Sequence, residues 1–318
     1  MDGLACLDQD DYGLPEIYQL EATAACDLAC PMCLRTSGMD RKPGLLSFDL
    51  VGKMFERGDF GGTTFIELQQ AGEPTIHPRL GEIIQFLKGT VRLMVGLSTH
   101  GLNFRKPGVL AAVLELDTVT ISIDSTDPVV YHKMRYPAKL EDLFKSLDAF
   151  FATMIARRDG GFRVPLVDLQ LVKTPLVAGS GDLGALSDVV REKGWDNFVR
   201  VRMVEDSFME ADGRMIMGTM PRPRNGDICI NPFSSVSVNE KGDVLSCCQI
   251  FDPDKTGVNY YGNLYEESLA DIWNGPRVGE MRRQHREGKL SGQCMTCYTW
   301  SPTRNHSNII QALVRHNR

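Results

Sequence analysis

Short apolar runs rich in β-branched residues recur along the first two thirds of the chain, and amphipathic stretches lie between them. That alternation limits the possible folds more than any other feature. The runs at 16–21, 64–69, 93–98, 119–124, 167–172 and 198–204 read as strands. The stretches at 50–55, 80–87 and 140–151 carry apolar residues at helical spacing and read as helices. A strand, a crossing helix and a second strand make a parallel pair with a right-handed connection. Six such units predict an α/β fold with a parallel sheet and helices on its outside. Six are fewer than the eight of a closed barrel, so the expectation is a partial (β/α)6 TIM barrel. Chemistry in such sheets collects at the carboxyl ends of the strands.

The composition changes at 220–225, where Pro221 and Pro223 alternate with Arg222 and Arg224. A boundary there divides the chain into residues 1–220, the barrel, and 221–318, a small cysteine-rich domain. In the second part, 239–243 carries a hairpin signal, and 268–273 and 308–314 read as helices. The apolar stretch at 164–177 is interrupted by Asp168, Gln170 and Lys173, so no run reaches the length of a membrane span. Residues 1–12 hold four aspartates and no basic cluster, which is unlike a signal peptide and predicts a cytoplasmic protein. A net charge of −6 argues against nucleic acid as a partner and suits a cationic or neutral small molecule. In a reducing compartment, nine cysteines point to metal or redox chemistry over a disulfide framework.

Three of those cysteines, Cys26, Cys30 and Cys33, form a CxxxCxxC triplet directly after the first strand. Three thiolates on one tight loop can bind three irons of a [4Fe-4S] cluster and leave the fourth iron open to a small molecule. Zinc is the alternative, but it usually takes a fourth protein ligand, and no nearby residue obviously supplies one. The triplet resembles the signature of the radical S-adenosylmethionine (SAM) superfamily, and other strand ends match that family. Gln70–Pro74 reads QAGEP, close to the family's GGEP turn with Ala71 in place of the first glycine. The resemblance gives Gly72, Glu73 and Pro74 to the SAM amino group. It likewise gives Ser98 and Thr99 of the STHG segment to the ribose, and Ser122, Asp124 and Arg135 to an SID…R pattern. Met32 stands where an aromatic residue often packs on the adenine. By that resemblance SAM binds the open iron, accepts one electron and yields a 5′-deoxyadenosyl radical that can remove hydrogen from an unactivated carbon.

A second group, Cys229, Cys247, Cys294 and Cys297, has the form C-x12-G-x4-C followed by a distant CxxC. A glycine-turned hairpin would bring the first two sulfurs together, and four cysteines would suit structural zinc equally well. The surrounding segments CINPF, VNEKGDVLSCC and GNLYEESLADIWNG resemble the SPASM/twitch domain of radical SAM enzymes. No cysteine follows Cys297, which implies the shorter twitch form with one auxiliary [4Fe-4S] cluster, two clusters in all.

Cys6 and Cys248 remain. Cys248 adjoins a cluster ligand and reads either as a packed thiol or as a hydrogen donor, because an S–H bond is weaker than a typical C–H bond. The spacing of the second group is most similar to aminoglycoside-modifying members of the family. The expected function is therefore a radical SAM epimerase that inverts a carbon of an aminoglycoside, with Cys248 returning the hydrogen. The alternatives are a dehydrogenase whose auxiliary cluster takes the second electron, and a peptide-modifying maturase. About 15 residues precede the first strand, too few for a leader-peptide domain, which disfavours the maturase. Acidic segments at 205–206, 210–212 and 252–254 are candidates to line a cationic substrate site, and an electron donor such as flavodoxin or ferredoxin is implied.

Overall fold

The computed structural model describes residues 12–33, 35–36, 39, 41–172, 180–204, 229, 231–245, 260–290 and 294. Six strands pair in parallel in the order of the sequence: β1 (Ile17–Leu20), β2 (Phe65–Leu68), β3 (Met94–Thr99), β4 (Thr118–Ser122), β5 (Leu166–Val172) and β6 (Val199–Val204). Between them run α1 (Phe48–Glu56), α2 (Leu80–Gly89), α3 (Pro107–Leu114), α4 (Pro128–Met134), α5 (Leu140–Asp159) and α6 (Ser180–Glu192). The expected partial barrel is present, and each strand lies within two residues of its expected limits.

One limit differs for a chemical reason. β4 ends at Ser122, before the expected Asp124, because Asp124 takes a left-handed φ of 64°. Val172 N donates to its Oδ1 at 2.9 Å and Arg135 Nε to its Oδ2 at 2.5 Å, which holds the turn in that costly conformation. Helices α3, α4 and α6 had no clear signal in the sequence. α3 reads PGVLAAVL, apolar on every side, so it shows no helical period. α4 has only seven residues and is started by Asp127, whose carboxylate accepts from Val129 N and Val130 N.

Alternate residues of the strands face opposite ways. Tyr18, Leu20, Ile66, Leu68, Leu97 and Ile121 turn outward and are buried with Ile83, Leu143 and Phe150 of the helices. Burying each such side chain stabilises the fold by roughly 1.5–3 kcal/mol. The inner face is polar: the pairing register runs from Ser237 through Gln19 to Glu67, and from Ser98 through Thr120 and Asp168 to Arg200. Its amino end is closed by Phe65, whose ring lies across Gly96; a Cβ there would stand 2.8 Å from Phe65 Cζ.

The C-terminal region continues the same sheet. After α7 (Asn231–Ser234), β7 (Ser235–Val238) pairs in parallel with β1, and β8 (Asp243–Leu245) and β9 (Gly262–Asn263) follow antiparallel, giving nine strands in the order β6-β5-β4-β3-β2-β1-β7-β8-β9. The expected hairpin is the β7–β8 turn, with Gly242 at a φ of 83°. The expected helix at 268–273 is α8 (Leu269–Trp273), capped by Ser268; α9 (Pro276–Glu287) had no counterpart in the sequence reading. The segment ahead of β1 is tied to these helices, since Trp273 Nε1 donates to Gly13 O at 3.0 Å and Tyr12 N to Asn274 Oδ1 at 3.1 Å. The expected boundary at 220/221 and the helix at 308–314 lie outside the described residues. No described helix is long and apolar enough to cross a membrane.

Candidate iron–sulfur and SAM site

The loop after β1 carries Cys26, Cys30 and Cys33, with Cys30 buried and the other two half-buried. Leu28 N donates to Cys26 Sγ at 3.4 Å, and Cys33 N to Cys30 O at 3.0 Å, which folds the triplet into a tight turn. Burial pushes the Cys26 thiol up to about 12 and raises Cys30 as well, while Arg135 beside Cys30 pulls the other way. Sulfurs in this setting become thiolates readily only when a metal charge replaces the proton. The donor set therefore fits an iron–sulfur cluster, and Cys26, Cys30 and Cys33 are the residues that would hold it.

The turn after β2 lies directly on this loop. A Cβ at Gly72 would stand 2.0 Å from Thr23 O and 2.5 Å from Ala25 O, so only glycine allows the approach. Glu73 N donates to Ala25 O at 2.8 Å and Ala71 N to Glu21 Oε1 at 2.9 Å. Glu73 and Pro74 are buried. The Glu73 carboxylate, given by resemblance to the SAM amino group, is engaged within the chain. Its Oε1 accepts from Thr75 N, Thr75 Oγ1 and Thr99 Oγ1, and its Oε2 from His100 N at 2.9 Å. Thr99 is thereby fixed at the end of β3, and Ser98, on the inner face, donates to Glu67 Oε1 at 3.1 Å.

His100 and Asp27 were not foreseen. Asp27 sits inside the cysteine triplet, and its Oδ1 lies 2.7 Å from His100 Nε2. Cys26, Asp27 and His100 are also the described residues whose ligand atoms gather within 4.8 Å. They do not make a zinc site with the triplet, because Leu102 N donates to His100 Nδ1 at 3.1 Å while Asp27 takes Nε2. Both imidazole nitrogens are thus spent inside the chain. The hydrogen bond from His100 pulls the Asp27 carboxyl down to about 2.

On the far side, Arg135 bridges the Asp124 carboxylate and the neighbourhood of Cys30. Ser122 ends β4 on the inner face beside Gln170, and Met32 packs, partly buried, against the core.

A buried triad ties this site to the C-terminal hairpin. Arg41 Nη2 donates to both carboxylate oxygens of Glu21, at 2.8 and 2.7 Å, and its Nη1 donates to Glu240 in the β7–β8 turn. Glu240 Oε1 accepts from Gly44 N at 3.1 Å. The two carboxylates share one guanidinium through its two terminal nitrogens, and sequence spacing gave no sign of a contact that crosses 199 residues.

Of the second cysteine group, Cys229 is buried ahead of β7 and Cys294 is half-buried. β8 runs antiparallel to β7 and so heads back, as far as Leu245, toward the end of the sheet at which β7 begins. Cys247, Cys248 and Cys297 lie outside the described residues, as do Cys6 and the acidic segments at 205–206, 210–212 and 252–254.

Family models for the radical SAM superfamily match residues 20–160, and for SPASM, an iron–sulfur cluster-binding domain, residues 229–298. The chain belongs to the radical SAM superfamily, in its SPASM-containing branch, with SAM and [4Fe-4S] clusters, an auxiliary one included, as its cofactors. The tungsten-containing aldehyde ferredoxin oxidoreductase cofactor-modifying protein of Pyrococcus furiosus is 32% identical over 289 residues, 81% of this chain and 80% of that protein. A probable GTP 3′,8-cyclase of Methanococcus maripaludis is 28% identical over 141 residues, 44% of this chain and 47% of that protein, so the match spans about half of its length. Among solved structures, Streptococcus suis SuiB bound to its precursor peptide SuiA superposes with a TM-score of 0.64 at 14% identity, covering 94% of this chain and 73% of that one. BtrN in complex with AdoMet and 2-DOIA gives 0.51 at 17% identity, covering 87% of this chain and 89% of that one. At these identities the likeness is one of fold.

Proposed function

We propose that this enzyme inverts a carbon centre of an aminoglycoside sugar, with Cys248 as the residue that returns the hydrogen. The chain is similar in this respect to neomycin C epimerase. SAM bound at the Cys26–Cys30–Cys33 cluster supplies a carbon radical able to abstract hydrogen from an unactivated C–H bond. Gly72, Glu73, Pro74, Ser98, Thr99, Ser122, Asp124, Arg135 and Met32 are the residues assigned to SAM. Glu73 and Thr99 act by holding the turn and the end of β3 in place.

What supports the reading is Cys248 itself, a cysteine beside Cys247 that the expected four-thiolate set does not use, inside the span 229–298 that the SPASM family model matches. A thiol can return hydrogen to a planar substrate radical because its S–H bond is weaker than a typical C–H bond. Cys248 then gives up its S–H hydrogen to the carbon, and the sulfur radical regains one electron and one proton from a reducing partner of the flavodoxin or ferredoxin kind.

Turnover in deuterated water tests this. One deuterium on the inverted carbon is expected, and Cys248→Ala should still cleave SAM while forming no inverted product. A new carbonyl without label would instead support oxidation of a sugar or cyclitol alcohol, the reading that likeness to BtrN with 2-DOIA brings with it. Modification of a peptide, brought by likeness to SuiB, predicts neither product from a sugar.

A further inference from the structure

Six described carboxylates are buried: Glu21, Asp59, Glu67, Glu73, Asp124 and Glu240. Five have their charge answered inside the chain. Arg41 serves Glu21 and Glu240, Arg57 serves Asp59, Arg135 serves Asp124, and Glu73 accepts from Thr75, Thr99 and His100. Glu67 is the exception. It is 8% exposed, and among the described residues its carboxylate receives one hydrogen bond, from Ser98 Oγ, and has no lysine, arginine or histidine nitrogen within 4.0 Å.

A carboxylate withdrawn from water with one neutral donor is unfavourable unless something else answers its charge. Its position says what that is. Glu67 lies on the inner face of β2, between Gln19 of β1 and Gly96 of β3 and within reach of the Ser98 hydroxyl, just below the turn that holds Gly72 and Glu73. The outward neighbours Ile66 and Leu68 are packed in the core, so Glu67 points into the barrel. Across that interior, Asp168 on β5 is neutralised by Arg200 at 2.6 Å and approached by Arg202 at 3.3 Å. Among the described residues the inner wall is therefore polarised, with an uncompensated negative charge on β2 and an excess positive charge on β5–β6.

From this we infer that Glu67 is the substrate's ammonium anchor: a protonated amine of the sugar docks on the β2 wall against the Glu67 carboxylate, and the β5–β6 wall, with its two guanidinium groups, faces hydroxyl oxygens. The inference deepens the aminoglycoside reading and rests on it. It assigns the orientation of the ring, amine toward β2, which decides the carbon presented at the mouth of the barrel.

The test is equilibrium binding to the anaerobically reconstituted, SAM-loaded protein, with neomycin C as the cationic probe and GTP as an anionic one. Glu67→Gln keeps the shape and the acceptor for Ser98 while removing the charge; iron and sulfide content verify that it is folded and loaded. Loss of a charge-assisted hydrogen bond should weaken neomycin C by roughly 10- to 100-fold. The loss should appear mainly in KM, and Glu67→Asp, which retains the charge but withdraws it by one methylene, should fall between. Wild-type binding of neomycin C that Glu67→Gln leaves unchanged overturns the anchor and spares the aminoglycoside reading. A wild-type protein that fails to bind neomycin C overturns both, whatever it does with GTP.

Discussion

At the carboxyl ends of β1 to β4 the buried charges are closed circuits: Glu21 and Glu240 share Arg41, Asp124 holds Arg135, and Glu73 is saturated by threonines and the backbone of His100. Deeper in the barrel, the inner wall is looser. Asp168 meets arginines on β6, one of them half-exposed, and Glu67 has, among the described residues, only a serine hydroxyl. The two regions hold the same residue types, so chemistry alone does not separate them. Satisfaction does. Groups that fix SAM and a cluster serve one invariant ligand and can be locked in advance. Groups that receive a substrate must keep valence open until it arrives.

The contrast can be broken most readily at Arg41. Arg41→Leu strands two buried carboxylates, and the cost should be about 3–5 kcal/mol. It would be read as a fall in the thermal midpoint of the cluster-loaded protein under anaerobic conditions. A negligible change would mean that the triad is not the closed unit described.

A sharper test uses pH. Burial, together with a hydrogen bond shared with Glu240, pushes the Glu21 carboxyl from its ordinary 4.5 up to about 7. Between those values the folded protein keeps a proton that the unfolded chain has released, so stability falls as pH rises through the window and levels off above it. Glu21→Gln cannot release that proton. The wild type should therefore lose stability relative to Glu21→Gln as pH rises from 4.5 to 7, measured as the change in the difference between their thermal midpoints. The smallest effect is expected on the open side of the barrel. Arg200→Ala removes a half-exposed ion pair with Asp168 and should cost under about 1 kcal/mol.

What the sequence made legible follows the same division. Cys26, Cys30 and Cys33 are neighbours in the chain, and Asp124 and Arg135 stand eleven residues apart, so their chemistry is written in local spacing. Strand runs were legible because Val, Ile and Leu mark a sheet packed against helices. Arg41 was not legible, since its partners are Glu21 and Glu240, brought together only by the pairing of β7 with β1. Glu67 was invisible for another reason. A single acid in the run FIEL reads as an imperfect strand until the register shows which face it occupies. His100 and Asp27 lie 73 residues apart and meet only through the closure of the cysteine loop on β3. Helix α3 was missed because uniform apolarity hides a period.

The insertion of β7 beside β1 has a consequence for synthesis. The first strand made is flanked on one side by β2 and on the other by a strand that begins at Ser235. At roughly 5–20 residues per second, a ribosome needs on the order of ten to forty seconds to reach it. For that interval the nascent sheet presents an open hydrogen-bonding edge directly under the cysteine loop. Maturation is thus ordered in time: β7, which begins about three quarters of the way along the polypeptide, must emerge and seal that edge before the metal site has its final walls.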